Sequence, residues 1–102
     1  MNKINIAVPC YQYGHFLGDC LDSILEQDVP GLRVMVLDNA CQDNSLEVAR
    51  EHALKDARVH VTTHTRNIGA TAIYNEAIDW ASGDYFLLID ADDILAPGAL
   101  TA

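Results

Sequence analysis

Tyr85-Phe86-Leu87-Leu88-Ile89-Asp90-Ala91-Asp92-Asp93 decides the fold. Five large apolar residues run without a polar break and stop at three carboxylates within four positions. The run has strand length and no solvated face. It predicts a strand buried on both sides, as in a parallel sheet with helices above and below. The carboxylates then lie just past the strand's C-terminal end, where open α/β sheets bind ligands. Like charges this close repel, and a hard divalent cation with oxygen ligands is the natural counter-charge. The plainer alternative has Asp92 or Asp93 capping a following helix, with Asp90 facing water. Both readings stay open on this stretch alone.

The rest of the chain repeats the same alternation. Ile4 to Val8 reads as a short strand closed by Pro9. Phe16, Leu17, Cys20, Leu21, Ile24 and Leu25 recur at helical spacing, and that helix ends near Asp28 to Gly31. Val34 to Leu37 is a second buried strand, ended by Asp38-Asn39. Asn44 followed by Glu47 has the form of a capping box opening a second helix, striped by Leu46, Val48, Ala49, His52 and Ala53. Val59 to Thr63 is a third strand, and His64 to Gly69 a loop. Ala72, Ile73, Ala77, Ile78 and Trp80 stripe a third helix, stopped at Ser82-Gly83. The opening run is strand four, and Pro97 fits the first turn of a truncated last helix. The order βαβαβαβ predicts an open parallel sheet of about four strands with right-handed crossovers.

With 102 residues the chain is read as one domain, long enough to bury roughly 60–70% of its unfolded surface without staples. Half its residues are hydrophobic and 21% are charged, a globular composition. The net charge of −9 argues against a nucleic-acid partner. It leaves room for a small anion held through a metal. Three cysteines, Cys10, Cys20 and Cys41, without a CxxC pair, fit free thiols in a reducing cytoplasm. No signal peptide is read at the N-terminus, and no apolar run approaches the ~18 residues of a membrane span.

Each polar cluster follows a strand, so in a parallel sheet all of them converge on one edge. Tyr11 can stack on a flat ring, and Tyr13 is the weaker candidate; the alternative is that both rings pad the first helix. Asp38-Asn39 offers acceptors and an amide donor to a base or ribose edge, or simply makes a turn. Arg66 can pair with a diphosphate or serve as a solvated charge. Gly69 precedes the third helix, whose N-terminus can face an anion. Asn75, mid-pattern in that helix, calls for a partner and can hold a loop. His60 and His64 lack the further ligands of a zinc site. Cys10 and Cys41 follow neighbouring strand ends and read first as small buried residues. No GxGxxG follows the first strand and no GxxxxGK[ST] occurs, which sets aside dinucleotide-binding and P-loop folds. A receiver-type domain would want acids after the first strand, where Pro9-Cys10-Tyr11 stands. Its size and acidity keep it as a third possibility.

Taken together, the chain resembles the N-terminal, nucleotide-binding half of family 2 glycosyltransferases with the GT-A fold, from about Ile4 to Leu100. Ile6 to Gln12 looks like that family's hydrophobic-P-x-Y-N strand end. Val36 to Asp43 looks like VVDDGSTD. Asn67-Ile68-Gly69 with Tyr74-Asn75 looks like N-x-G followed by RN. Gly83 to Asp93 looks like GEYIxxLDADD, which holds the DxD metal motif. Four such segments in order make a specific signal.

The resemblance implies strand order 3-2-1-4 with helices on both faces, and UDP or a UDP-sugar as ligand. It implies that Pro9 and Tyr11 border the base, with Cys10 beside them, and that Asn39 meets the uracil edge next to Asp38. Arg66, Asn67 and Gly69, which follow the third strand, are counted with these as residues expected to face the nucleotide. Asp92 and Asp90 would hold Mn²⁺ or Mg²⁺, and Asp90 and Ala91 would reach the ribose or the metal shell. Asn39 stands where the family usually has a second Asp, Gln12 for Asn, Cys41 for Ser and Tyr74 for Arg. The family's chain continues past the DxD into an acceptor-binding half that supplies the catalytic base, whereas this sequence ends about ten residues after Asp92. No residue here is assignable as that base. Active transfer and binding without catalysis both remain open. Strand four then becomes an edge, and self-association through it is expected.

Overall fold

A computed structural model describes residues 3–11, 14–27, 29–40, 43–81 and 85–100. Expectations at Gln12, Tyr13, Cys41 and Ser82-Gly83 lie outside the described residues. Seven elements alternate: β1 (Ile4–Cys10), α1 (Gly14–Leu25), β2 (Leu32–Asp38), α2 (Ser45–Lys55), β3 (Val59–Thr63), α3 (Ala70–Trp80) and β4 (Tyr85–Leu88). The strands form one parallel sheet in the order β3-β2-β1-β4.

The sheet's alternation sorts its side chains onto two faces. Ile6, Val8, Cys10, Val34 and Val36 point to one side, where Leu17, Cys20, Leu21 and Ile24 of α1 and Ala49 of α2 pack against them. Each large aliphatic side chain buried there contributes about 1.5–3 kcal/mol of transfer free energy. Ala7 and Leu37 point to the other side and meet Ile73 and Ala77 of α3. The Arg33 guanidinium lies 4.8 Å from the centroid of the Trp80 ring, fastening the end of α3 to β2. Asn5 also faces the α3 side, in register with Arg33 and Phe86. It is fully buried, and neither its amide oxygen nor its nitrogen has a hydrogen-bond partner among the described residues.

Several expectations need correction. β1 does not stop before Pro9; it pairs with β2 through Pro9 and Cys10. The direction of the peptide groups explains why. Lys3 and Ala7 turn their carbonyls to β4, accepting from the N–H groups of Tyr85 and Ile89. Cys10 turns its carbonyl to the β2 side, accepting from Asn39 N–H. By the same alternation Pro9 faces β4, so its missing N–H costs the β2 ladder nothing. The β4 ladder loses its next donor there, and β4 closes at Leu88 rather than Ile89.

β4 is also not buried on both faces. Tyr85, Phe86, Leu87 and Leu88 are each exposed by 38–56% because the strand lies at the sheet's edge. The Asn44–Glu47 capping box does not form, since Asn44 makes no side-chain cap bond. Asp43 serves instead, its carboxylate accepting from both the backbone N–H and the hydroxyl of Ser45. On α3 the buried positions are Ile73 and Ala77, while Ile78 is exposed. Asn75 is exposed too and holds no loop among the described residues. Residues 97–100 make a turn, not a helical first turn.

Candidate functional site

The C-terminal ends of the four strands share one edge, and a cleft of about 400 Å³ opens there. Pro9, Cys10 and Tyr11 reach it from the end of β1, Asn39 from β2, Asn67 from the β3–α3 loop and Asp90 from beyond β4. Ala70, Ile73 and Tyr74 close it from the first turns of α3. A helix N-terminus carries unpaired N–H groups and partial positive charge, so this wall suits an anion. A second hollow of about 590 Å³ adjoins the first, with Tyr11 and Asn67 common to both. Asp38 and Arg66 lie in the second, beside His64. Gly69 lines neither; it precedes α3 with φ of 85°, a conformation that favours glycine. Ala91 is completely buried.

Asn39 and Asn67 form a bracket across the cleft. The Asn39 side-chain oxygen accepts from Ile68 N–H at 2.9 Å, and its nitrogen donates to the Asn67 oxygen at 3.0 Å. That same oxygen accepts from Gly69 N–H at 2.7 Å. Two backbone N–H groups, which can only donate, thereby fix the orientation of both amides. The bracket ties the entrance of α3 to the end of β2. A second tie joins His64 to Glu76 of α3 at 3.0 Å. Ala40, just after the bracket, has a left-handed φ of 59°.

The acids after β4 converge. Asp93 N–H donates to Asp90 C=O at 2.9 Å, closing a tight turn over 90–93. One carboxylate oxygen from each of Asp90, Asp92 and Asp93 lies within 4.8 Å of the others, all exposed. The donor set is three hard oxygens of like charge, which suits Mg²⁺ or Mn²⁺ and not a thiophilic metal. Beneath the turn, Ala91 is in the core and the Cys20 thiol reaches Asp90 C=O at 3.6 Å. Cys20 is pushed up to about 12, first by burial and then by the negative charge of Asp93, Cys10, Asp92 and Asp90. It therefore stays a protonated donor at neutral pH.

Sequence reasoning proposed Asp90 and Asp92 as the metal pair and did not commit Asp93. The i to i+3 spacing of a tight turn was the available signal. It also missed Ala70 and Ile73, which reach the cleft because α3 begins at the strand ends. No local pattern announced Ser23 of α1 or Gln27 in the turn after it. Ser23 accepts from Leu95 N–H at 3.0 Å, and Gln27 donates to Ala96 C=O at 2.9 Å.

An open parallel sheet with a polar cleft at its carboxyl edge, flanked by an oxygen-rich acidic turn, defines an open α/β domain of the class whose ligands meet the strand C-termini. The chain belongs to Glycosyl transferase family 2, which it matches over residues 5–102. It is 33% identical over 92 residues to the glycosyltransferase GlyG of Streptococcus pneumoniae, an alignment covering 90% of this chain and 31% of that protein. Its fold is that of S. aureus TarS 1-349 in complex with UDP-GlcNAc, with TM-score 0.87, 26% identity and coverage of 97% and 29%. The mannosyltransferase PcManGT of Pyrobaculum calidifontis, in complex with GDP-Man and Mn²⁺, superposes with TM-score 0.88 at 28% identity, coverage 97% and 30%. The chain thus spans less than a third of these relatives, corresponding to their N-terminal portion.

Proposed function

We propose that the chain is the donor-binding part of a glycosyltransferase, holding UDP or a UDP-sugar together with Mn²⁺ or Mg²⁺. One observation carries this reading: Asp90 both lines the cleft and belongs to the acidic turn, so the two sites are contiguous. The cleft's volume lies in the range of small-molecule sites. Tyr11, exposed at its rim, offers a stacking face for a base. Asn39 and Asn67 offer amide N–H groups to base carbonyls, and the first turn of α3 faces the anionic part. Asp90, Asp92 and Asp93 would hold the metal. When bound, it supplies Lewis-acid stabilisation of charge on a departing diphosphate. Glycosyl transfer itself is the stronger form of the proposal; metal-dependent binding without turnover is the weaker one, because the resemblance assigns no catalytic base in this sequence.

The reading includes a cytoplasmic location, in keeping with the free, buried thiol of Cys20. No helix among the described residues is long and apolar enough to cross a membrane. It also includes self-association through the half-exposed β4 edge, which light scattering at high concentration would register as a dimer. Calorimetric titration of UDP and GDP, each with and without Mn²⁺, tests the central claim. UDP binding that needs Mn²⁺ and is lost in Asp92→Ala is the expected outcome. Failure of both nucleotides to bind with metal present would remove it.

A further inference from the structure

The segment that carries the acids packs Ala91, Leu95 and Leu100 against the core and is tied through its backbone to side chains of α1 and of the turn after it. From Asp90 to Leu100 the chain forms no helix or strand. Several of its polar backbone groups are met by Cys20 and Ser23 on one stripe of α1 and by Gln27 in the turn that follows that helix. Cys20 donates to Asp90 C=O at 3.6 Å. The Ser23 hydroxyl donates to Cys20 C=O at 2.7 Å and accepts from Leu95 N–H at 3.0 Å. Gln27 spans the far part, donating to Ala96 C=O at 2.9 Å and accepting from Leu100 N–H at 3.2 Å. Gln27 also donates to Ser23 C=O at 3.1 Å, which links the two splints. Ser23 is buried, and removing its hydroxyl takes away the side-chain acceptor of Leu95 N–H.

We propose that Ser23 and Gln27 are positioning residues for the metal site, holding three mutually repelling carboxylates in the converged turn without touching the ion. This rests on the divalent-metal reading given above. Without these ties the carboxylates can relax apart, and the ion must then supply the free energy that gathers them. Removal should therefore weaken metal affinity even though no ligand atom changes.

The experiment titrates Mn²⁺ alone into the full 102-residue chain, with Ser23→Ala, Gln27→Leu and the conservative Ser23→Thr alongside. Amide exchange over residues 91–100 is followed in the same samples without metal. Ser23→Ala and Gln27→Leu are each expected to raise the Mn²⁺ dissociation constant on the order of ten-fold. Exchange at Leu95 and Leu100 should accelerate in the matching variant, and Ser23→Thr should restore both readings. If the unaltered chain binds Mn²⁺ and both loss variants bind it equally well, the positioning role is overturned while the metal reading stands. If the unaltered chain does not bind Mn²⁺, the metal reading itself falls and takes this inference with it.

Discussion

Replacing Asn5 by leucine should make the protein more stable, although Asn5 lies in an inner strand of the sheet. The side chain is fully buried, and its oxygen and nitrogen both lack a partner among the described residues. A buried polar group left unpaired costs about 1–3 kcal/mol relative to a paired or apolar one. Leucine has the same branched heavy-atom skeleton, so no cavity opens, but its methyl groups are bulkier than the planar amide and accommodating them can cost about 1 kcal/mol or more. The net expectation is a gain of about 1 kcal/mol. At this size that shifts the melting midpoint by roughly 4–8 °C. Urea unfolding followed by circular dichroism is the direct assay: the midpoint should rise with the slope unchanged. Asn5→Ala should gain less or lose, because it trades the orphan amide for a hole between Arg33 and Phe86. A midpoint for Asn5→Leu below that of the unaltered protein by 1 kcal/mol or more would show that the amide is satisfied in solution, and the reasoning would be wrong.

Three further outcomes follow from the same contacts. In Asn39→Asp the new carboxylate oxygen would face the Asn67 oxygen at the present 3.0 Å contact, so stability should drop by about 1–3 kcal/mol at neutral pH. Burial would raise that carboxyl above its usual ~3.9, and the neutral acid can donate again, so the deficit relative to the unaltered protein should shrink in melts run at falling pH. Asp56 is lowered to about 2, chiefly by the side-chain hydrogen bond from Arg58 and then by Arg58 N–H. Its contribution, about 1 kcal/mol after solvent screening, is present above pH 3.8 and lost as the pH falls toward 2; Asp56→Asn should flatten that part of the stability–pH curve. Ala40→Gly should gain about 0.5–1 kcal/mol in thermal melts by relieving the left-handed φ of 59°, and Ala40→Val should lose at least as much.

The alternation of strands and helices was legible because apolar spacing changes cleanly between two and three-to-four residues along the chain. The strand order came from the resemblance, since periodicity carries no information about which strands are neighbours. Two-sided burial of Tyr85 to Ile89 was misread for a related reason: an apolar run reports what a strand is suited to, not its place in the sheet. The convergence of Tyr11, Asn39, Asn67 and Asp90 followed from topology alone. The ties from Ser23 and Gln27 to residues 95–100 did not, because bonds between a side chain and a distant backbone leave no repeat to read. The capping of α2 failed at single-residue resolution: Asp43 and Asn44 are both good caps, and tertiary geometry chose between them.

Pro9 has a consequence for how such a chain can change over time. By withholding one donor it uncouples the polypeptide beyond Ile89 from the pairing of the strands. Residues inserted after that point would leave the strand register intact and add to the sheet only a loop-closure entropy, which grows slowly with length. The same insertion between Tyr85 and Leu88 would turn every later side chain in the strand to the opposite face. Scaffold and acidic bend can thus be rebuilt on separate schedules, and a graft of the bend onto another such sheet must bring the proline with it.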